Sequence, residues 1–359
     1  MIGSSDDQHA AADDPPVIAE QSAEADPAAG VRPPTIYDVA RAAGVAPSTV
    51  SRAFARPGRV NAETAERIRQ VALQLGYRAN PLARALPTGR TSMIALVISD
   101  VTNPFYNEII RGAQSAATEA GYTMLLADAQ ESDRLEREAL ERAVSTVEGI
   151  VLGSTRMSDS AIRMIAKQRP MIVLNRAMSD VPSVVTDNAR GMRRAVEHLA
   201  ELGHHEITYV AGPEQSWPDG LRWRSVREAA TMELDLHCRR IGPQPPTVAG
   251  GTAAAAEFVK HPTSAVIAYN DLMAIGFIRG VVVRGIRVPE DVSVVGVDNI
   301  FAAELVTPSL TTVASPLRQM GSTAVRNLLA IAHGARMRTG EPTVLPVKLV
   351  VRSSTGPRR

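Results

Sequence analysis

The apolar positions of this chain change period part-way along it. Between Thr35 and Gly76 they recur at helical spacing: Val39 with Ala42 and Ala43, then Val50 with Ala53, then Ile68, Val71, Ala72 and Leu75 at i, i+3, i+4 and i+7. Local signals bound each stretch. Thr35 can cap the first, with Asp38 at the capping-box position, and Gly44 ends it. Pro47 fits a first turn, where its missing N–H is not needed; Asn61 caps the third stretch and Gly76 stops it. The pattern predicts three short helices over residues 34–79. Helices below roughly 12 to 15 residues are marginal alone, so these must pack together, and a face they leave unburied needs an external partner.

From Met93 onward short apolar runs alternate with helical patterns. "MIALVIS", a helix from Pro104, "YTMLLAD", "GIVLGS" and "MIVLN" form one series; "SVVTDN", a helix over 189–202, "EITYVAG", "SAVIAYN" and "VSVVGVD" form a second, and "VLPVKLVVRS" is a last strand. Strands alternating with helices imply parallel sheets covered on both faces, here two doubly wound subdomains, with ligands at the carboxyl ends of strands. Between the two regions lies "NPLARALPTGRTS". Asn80 and Pro81 are a cap and first-turn pair, and Leu82, Ala83, Ala85 and Leu86 allow a turn or two of helix before Pro87 stops it. The stretch is either a linker or a segment that folds on contact.

Bulk properties sharpen this outline. At 359 residues, 45% of them apolar, the chain exceeds the roughly 250 residues of one core. Its net charge of +1 conceals a segregation: residues 1–30 hold seven acids and no Lys or Arg, whereas residues 31–90 hold ten arginines against Asp38, Glu63 and Glu66. The first segment, rich in Ala, Asp and Pro, is expected to be disordered; the second suggests contact with a polyanion, which the acidic segment would weaken by competition. The one cysteine, Cys238, excludes an internal disulfide framework and a thiolate zinc cluster. No run approaches the ~18 apolar residues of a membrane span and no basic-then-apolar leader is present, so a cytoplasmic protein is expected.

Catalytic signals are weak. No G-x-x-x-x-G-K-[ST] occurs, no G-x-G-x-x-G leads from a strand into a helix, and His198, His204 and His205 lack the i, i+4 spacing of helical metal ligands. No catalytic residue, metal or cofactor is expected. The stronger signal is helix, Gly44 turn, helix: the pattern of a DNA-binding helix-turn-helix, whose second helix enters the major groove. Ser48, Thr49 and Arg52 share one face of that helix while Val50 and Ala53 turn inward, and Arg52 could reach a guanine with two hydrogen bonds. A surface arginine on a small helical bundle is the plainer alternative.

Taken together, "TIYDVARAAGVAPSTVSRAF", "RVNAETAERIRQVALQLGYRANPLARAL", "VTNPFYNEIIRGAQ", "HLAELGHHEITYVAG", "AYNDLMAIG", "RGIRVPEDVSVVGVDN" and "PSLTTV" resemble, in this order, the LacI/GalR family of bacterial transcription regulators. The likeness runs over about residues 35 to 353. It implies an all-α helix-turn-helix headpiece, a hinge helix, and an α/β core of two doubly wound parallel-sheet subdomains resembling periplasmic binding proteins. The corresponding boundaries are a tail over 1–33, a headpiece over 34–79, a hinge over 80–91, a first subdomain from 92–188 with 315–342, and a second from 189–314 with 343–354.

The resemblance places Pro47, Ser48 and Arg52 at base-reading positions, with Thr49 and Ser51 beside them in the major groove. Thr35, Tyr37, Arg59, Asn61 and Tyr77 match positions that hold the DNA backbone or pack the headpiece, and Asn80, Leu82, Ala83, Arg84 and Leu86 match the minor-groove hinge, where Leu86 would wedge between base steps. Two departures stand out. Ala46 replaces a frequent Ser and so a side-chain cap worth about 1 kcal/mol, and Pro87 replaces a common basic residue.

For a small effector, Asp100, Asn175, Asp187, Arg222, Asn270 and Asp298 fall near strand ends or at a helix start, where a hydroxylated ligand would find donors and acceptors. Arg222 and Asp298 most resemble the family's ligand-binding Arg and Asp. Phe105 stacks on a sugar face or is a core aromatic; Trp217 is a ring contact or packs under its loop; Arg156 meets the ligand or forms a structural ion pair. The expected function is therefore a repressor-type, sequence-specific DNA-binding regulator. It would bind a pseudo-palindromic operator as a homodimer and respond to a small effector, a sugar, held between the core subdomains. The absence of apolar heptads after the last strand argues against a tetramer. Two other readings share the fold: a regulator answering to a protein corepressor, and a solute-binding receptor, which should carry an export signal and no basic headpiece.

Overall fold

A computed structural model describes residues 32–55, 57–78, 90–335 and 340–358. They belong to two compact units, one up to Asn80 and one from Pro81 on. The first unit holds α1 (Ile36–Ala43), α2 (Pro47–Ala55) and α3 (Ala62–Gln74). The local signals act as read. Asp38 Oδ2 accepts the Thr35 backbone N–H at 2.9 Å and its hydroxyl at 2.7 Å, and Asn61 Oδ1 accepts from Glu63 N–H at 2.9 Å. Gly44 takes φ 65°, which lets Val45 N–H return to the Ala40 carbonyl at 3.0 Å and close α1. Val39, Ala40, Ala43, Val50, Ala53, Ala65, Ile68 and Ala72 form the core, with Phe54 and Tyr77 at its edge. Five of these eight are alanines, which let the three short helices approach closely.

In the second unit the first series is β1 (Met93–Ile98), α4 (Phe105–Glu119), β2 (Thr123–Asp128), α5 (Asp133–Val144), β3 (Gly149–Gly153), α6 (Asp159–Ala166), β4 (Met171–Leu174) and β5 (Ser183–Thr186). The second is α7 (Asn188–Glu201), β6 (Glu206–Val210), α8 (Trp217–Arg227), a π-turn over Glu228–Glu233, β7 (His237–Ile241), α9 (Val248–Phe258), β8 (Ala265–Ala268), α10 (Asp271–Val282), β9 (Ser293–Asp298), α11 (Ala302–Leu305) and β10 (Thr311–Ala314). The described chain closes with α12 (Leu317–Ala332), β11 (Thr343–Leu345) and β12 (Lys348–Val350).

Two six-stranded sheets result. The first runs β11-β5-β4-β3-β1-β2, all parallel; the second runs β12-β10-β9-β8-β6-β7, parallel except for β12. Leaving out β11 and β12, the five remaining strands of each sheet share one order, with a reversal between β1 and β3 and between β6 and β8, where doubly wound sheets open a ligand crevice. The sheets' helices approach in matching ways. A Cβ at Gly112 would collide with the Arg318 carbonyl and one at Gly321 with the Ile109 carbonyl, so α4 and α12 touch backbone to backbone; Gly251 and Gly276 do the same for α9 and α10.

Three details differ from the sequence reading. "SVVT" is β5 of the first sheet and does not open the second series. "VLPVKLVVRS" is two strands: Pro346 has no N–H to donate, the ladder breaks there, and residues 343–345 pair with β5 in the first sheet while 348–350 pair with β10 in the second. The expected assignment of 343–354 to the second subdomain therefore fails for β11. The edge strand β7, with His237, Arg239 and Arg240, carries no apolar alternation and was not anticipated.

His204, which lacks the spacing of a helical metal ligand, is 2% exposed and joins the second sheet to the carboxyl-terminal segment. Its Nδ1 lies 2.9 Å from Ser264 Oγ, and its Nε2 lies 2.9 Å from Ser293 Oγ and 3.1 Å from the Gly356 carbonyl. That carbonyl can only accept, so Nε2 carries the proton of the neutral ring. Burial lowers the imidazole's pKa, with the Gly356 carbonyl opposing. The folded state thus binds its proton less readily than the unfolded chain, so the stabilisation is fully present above the unfolded value of about 6.5 and is lost as pH falls below it. Between pH 7.5 and 5 the wild type is expected to lose more stability than a His204→Asn variant, measured by urea unfolding; parallel curves would contradict this.

Candidate functional site

The carboxyl edges of the two sheets face one cleft. From the first come Ser99, Asn103, Phe105, Tyr106, Glu131, Ser154, Arg156 and Asn175; from the second, Pro218, Arg222, Pro246, Tyr269, Asn270 and Asp298. Every one of them follows or ends a strand or sits on the helix that does. Left-handed non-glycine backbone gathers here too: Glu131, Ser154, Asn175 and Asp298 have φ of 56°, 49°, 58° and 116°. Such conformations persist where surroundings over-determine them, which is typical of ligand sites.

Arg222 organises the second subdomain's wall. Its Nε donates to Asn188 Oδ1 at 2.9 Å and its Nη1 to the Tyr269 carbonyl at 2.6 Å; the guanidinium lies 5.0 Å from the Tyr269 ring centroid, and Nη2 is 3.6 Å from Asp298 Oδ1. Asp298 is 4% exposed, and that oxygen accepts no hydrogen bond. Burial holds its carboxyl well above the usual range, Arg222 pulls it back and Asp271 pushes it further up. An acceptor buried without a donor costs stability unless something supplies one.

Two buried carboxylates set this wall from behind. Asp219, on the first turn of α8 after the Ser216 cap, accepts the Tyr209 hydroxyl at 2.9 Å and Gly212 N–H at 2.8 Å and pairs with Arg240 at 2.6 Å, which fixes the helix that carries Arg222. Asp271, pushed up to about 7 chiefly by burial, accepts the Thr312 hydroxyl at 2.6 Å and Ile300 N–H at 2.9 Å, and so holds the loop after Asp298.

On the first subdomain's wall, Asn175 Nδ2 donates to Ser154 Oγ at 3.2 Å, and Tyr106, whose hydroxyl is raised by burial, bonds Ser99 Oγ at 2.6 Å. Phe105 meets Tyr106 edge-on with centroids 5.0 Å apart; it lines the cleft and, 7% exposed, also belongs to the core cluster. Arg156 likewise lines the cleft within an ion pair, its Nε and Nη2 at 2.8 and 2.6 Å from Glu131 Oε2.

Of the nine anticipated effector residues, Phe105, Arg156, Asn175, Arg222, Asn270 and Asp298 come together. Three do not. Asp100 turns its carboxylate onto Thr102 N–H and hydroxyl, Asp187 caps α7 through Arg190 N–H at 3.1 Å, and Trp217 stands half-buried at the start of α8 while the next residue, Pro218, reaches the cleft. A strand-end carboxylate reads alike whether it serves a turn, a cap or a ligand. Ser99, Ser154 and Tyr269 were available to the strand-end rule; Glu131 was not, since nothing in Gln-Glu signals a left-handed turn.

In the first unit, α2 buries Val50 and Ala53 and exposes Pro47, Ser48 and Arg52, with Thr49 and Ser51 half-exposed. Arg52 Nη2 lies 3.5 Å from Ser48 Oγ, so the two share one face. Arg59 and Asn61 are exposed and Tyr37 is 65% exposed, whereas Thr35 is spent on the cap and Tyr77 packs on Phe54. Asn80, Leu82, Ala83, Arg84 and Leu86 lie outside the described residues. Among the described residues, no helix is long and apolar enough to cross a membrane.

Comparison with known proteins bears on both units. Residues 35–80 match the lacI family of bacterial regulatory proteins, and residues 196–355 match the periplasmic binding protein-like domain. The chain is 34% identical over 333 residues to the HTH-type transcriptional regulator DegA of Bacillus subtilis, covering 90% of this chain and 98% of that one. Among solved structures it is similar to a lac repressor dimer bound to operator and the anti-inducer ONPF, with a TM-score of 0.80, 26% identity and 90% and 100% of the two chains covered. It is also similar to a complex of the transcriptional regulator CelR with cellobiose, with a TM-score of 0.67, 31% identity and 89% and 99% covered. With a headpiece that matches the lacI family, a core of two doubly wound sheets and this extent of identity to DegA, the chain belongs to the lacI family of bacterial transcription regulators.

Proposed function

We propose that the protein is a repressor-type regulator that binds a pseudo-palindromic operator as a homodimer and adjusts its grip when a sugar enters the core cleft. The observation that carries the effector half is the buried Asp298 Oδ1, left without a donor beside Arg222. A hydroxyl of a sugar supplies that donor, while Asn175 and Asn270 add amide groups and Phe105 and Tyr269 offer rings to its apolar faces. The DNA half rests on α2. Arg52 and Ser48 meet base edges, Pro47, Thr49 and Ser51 flank them, and Arg59, Asn61 and Tyr37 hold the backbone. The relatives support the same scheme, one as a dimer on its operator and one with a disaccharide bound.

A sugar shifts operator affinity only by its differential affinity for the two states of the core. The test is titration of the intact protein with pentoses, hexoses and disaccharides, alongside selection of its operator from random DNA. Saturable heat with at least one sugar and recovery of a two-fold symmetric site are expected; no heat with any sugar while a site is recovered would favour a protein corepressor.

A further inference from the structure

Two guanidiniums line the cleft, and unpaired they would make it a trap for anions, because the planar fork of Arg matches phosphate and carboxylate. Both are engaged by the protein. Arg222 spends Nε on Asn188 Oδ1 and Nη1 on the Tyr269 carbonyl, with Asp298 3.6 Å from Nη2, and Arg156 spends Nε and Nη2 on Glu131 Oε2 and Nη1 on the Ser154 carbonyl at 3.3 Å. The Arg156 side chain is 9% exposed and that of Glu131 28%, so on this wall a ligand meets the carboxylate before the cation. No described residue donates to Glu131 Oε1. Each subdomain therefore presents one carboxylate oxygen without a donor, Glu131 Oε1 from the first and Asp298 Oδ1 from the second.

The backbone around Glu131 is built for this placement. Gln130 and Glu131 are consecutive left-handed residues, φ 50° and 56°, held by Ala129 N–H on the Ile98 carbonyl at 2.8 Å and Ser132 N–H on the Ala129 carbonyl at 2.9 Å. Side chains resist this conformation, and an ion pair serving stability alone would not require it.

Building on the sugar-effector reading, we propose that Glu131, seated on Arg156, sets the charge class of the ligand: the cleft takes neutral polyhydroxyl molecules and rejects their phosphorylated or carboxylated counterparts. Hydroxyl donors complete the two orphaned oxygens. An anion would set lone pairs against both and its charge against that of Glu131 in a site of low dielectric, where like charges repel strongly.

The test is calorimetric titration of the intact protein, at fixed salt and pH, with neutral sugars and the 6-phosphate and uronate of each hexose. The wild type is expected to prefer a neutral sugar over its anionic counterparts by about a hundredfold or more. In Glu131→Gln, which frees Arg156, the neutral sugar should weaken and the anion strengthen, so that the ratio shrinks at least about tenfold. Glu131→Asn, whose residue tolerates the left-handed backbone, should shrink it likewise, and unliganded operator binding with a single cooperative melting transition verifies the fold of both. Equal or tighter binding of an anion by the wild type, or an unchanged ratio in both variants, overturns the proposal and leaves a small effector in place. No binding by any member overturns the sugar reading and this proposal with it.

Discussion

Arg222→Ala is expected to abolish the response to effector and to destabilise the core by about 3 to 5 kcal/mol, the cost of breaking a buried pair by removing one partner. Two acceptors lose their donor at once, Asn188 Oδ1 and the Tyr269 carbonyl, and the Asp298 carboxyl loses the cation beside it. Asp298 can escape by taking up a proton, since burial already favours its neutral form. The destabilisation should therefore shrink as pH falls, because protonation removes the orphaned charge; urea unfolding at several pH values measures it. Arg222→Lys should recover part of the stability and little of the sugar affinity, as an ammonium cannot reach three partners set in a planar fork. Unchanged sugar binding by Arg222→Ala would remove this residue from the site.

The second large effect is expected on DNA. Arg52→Ala should cost about 1 to 3 kcal/mol of operator affinity and relax the base preference at one position of each half-site. Arg52 is exposed and its one described contact is the 3.5 Å approach to Ser48, so headpiece stability should not change. Arg59→Ala makes the contrast. A backbone contact weakens binding evenly across sequences and lowers the salt slope by about one. Competition binding with operator variants at two salt concentrations separates the two roles, and an even, salt-dependent loss for Arg52→Ala would assign it to phosphate.

What could be read from the sequence divides along a physical line. The headpiece was legible almost residue by residue, because caps, a left-handed glycine and helical spacing act within a few positions: Thr35 with Asp38, Gly44 and Asn61 all behave as their local chemistry dictates. The alternating core was legible as a class, while the destination of its last strands was not, since which sheet β11 and β12 join is fixed by pairing with β5 and β10, far away in the chain. The cleft fell between these cases. Arg222, Asp298 and Asn270 came from a resemblance and a strand-end rule, but the same rule drew in Asp100 and Asp187, whose carboxylates serve their own turn and helix. Glu131 was invisible, because its position depends on a backbone conformation that Gln and Glu do not advertise.

The coupling between the two units is tested most directly by one titration: operator affinity of the intact protein at fixed salt, measured without sugar and with saturating amounts of the sugar that binds the cleft. Typical coupling energies of about 1 to 3 kcal/mol correspond to a roughly 5- to 150-fold shift, and the same factor should appear in sugar affinity when operator is present. A reciprocal shift of that size is the expected result. Sugar bound in the cleft with the operator curve unmoved would contradict it.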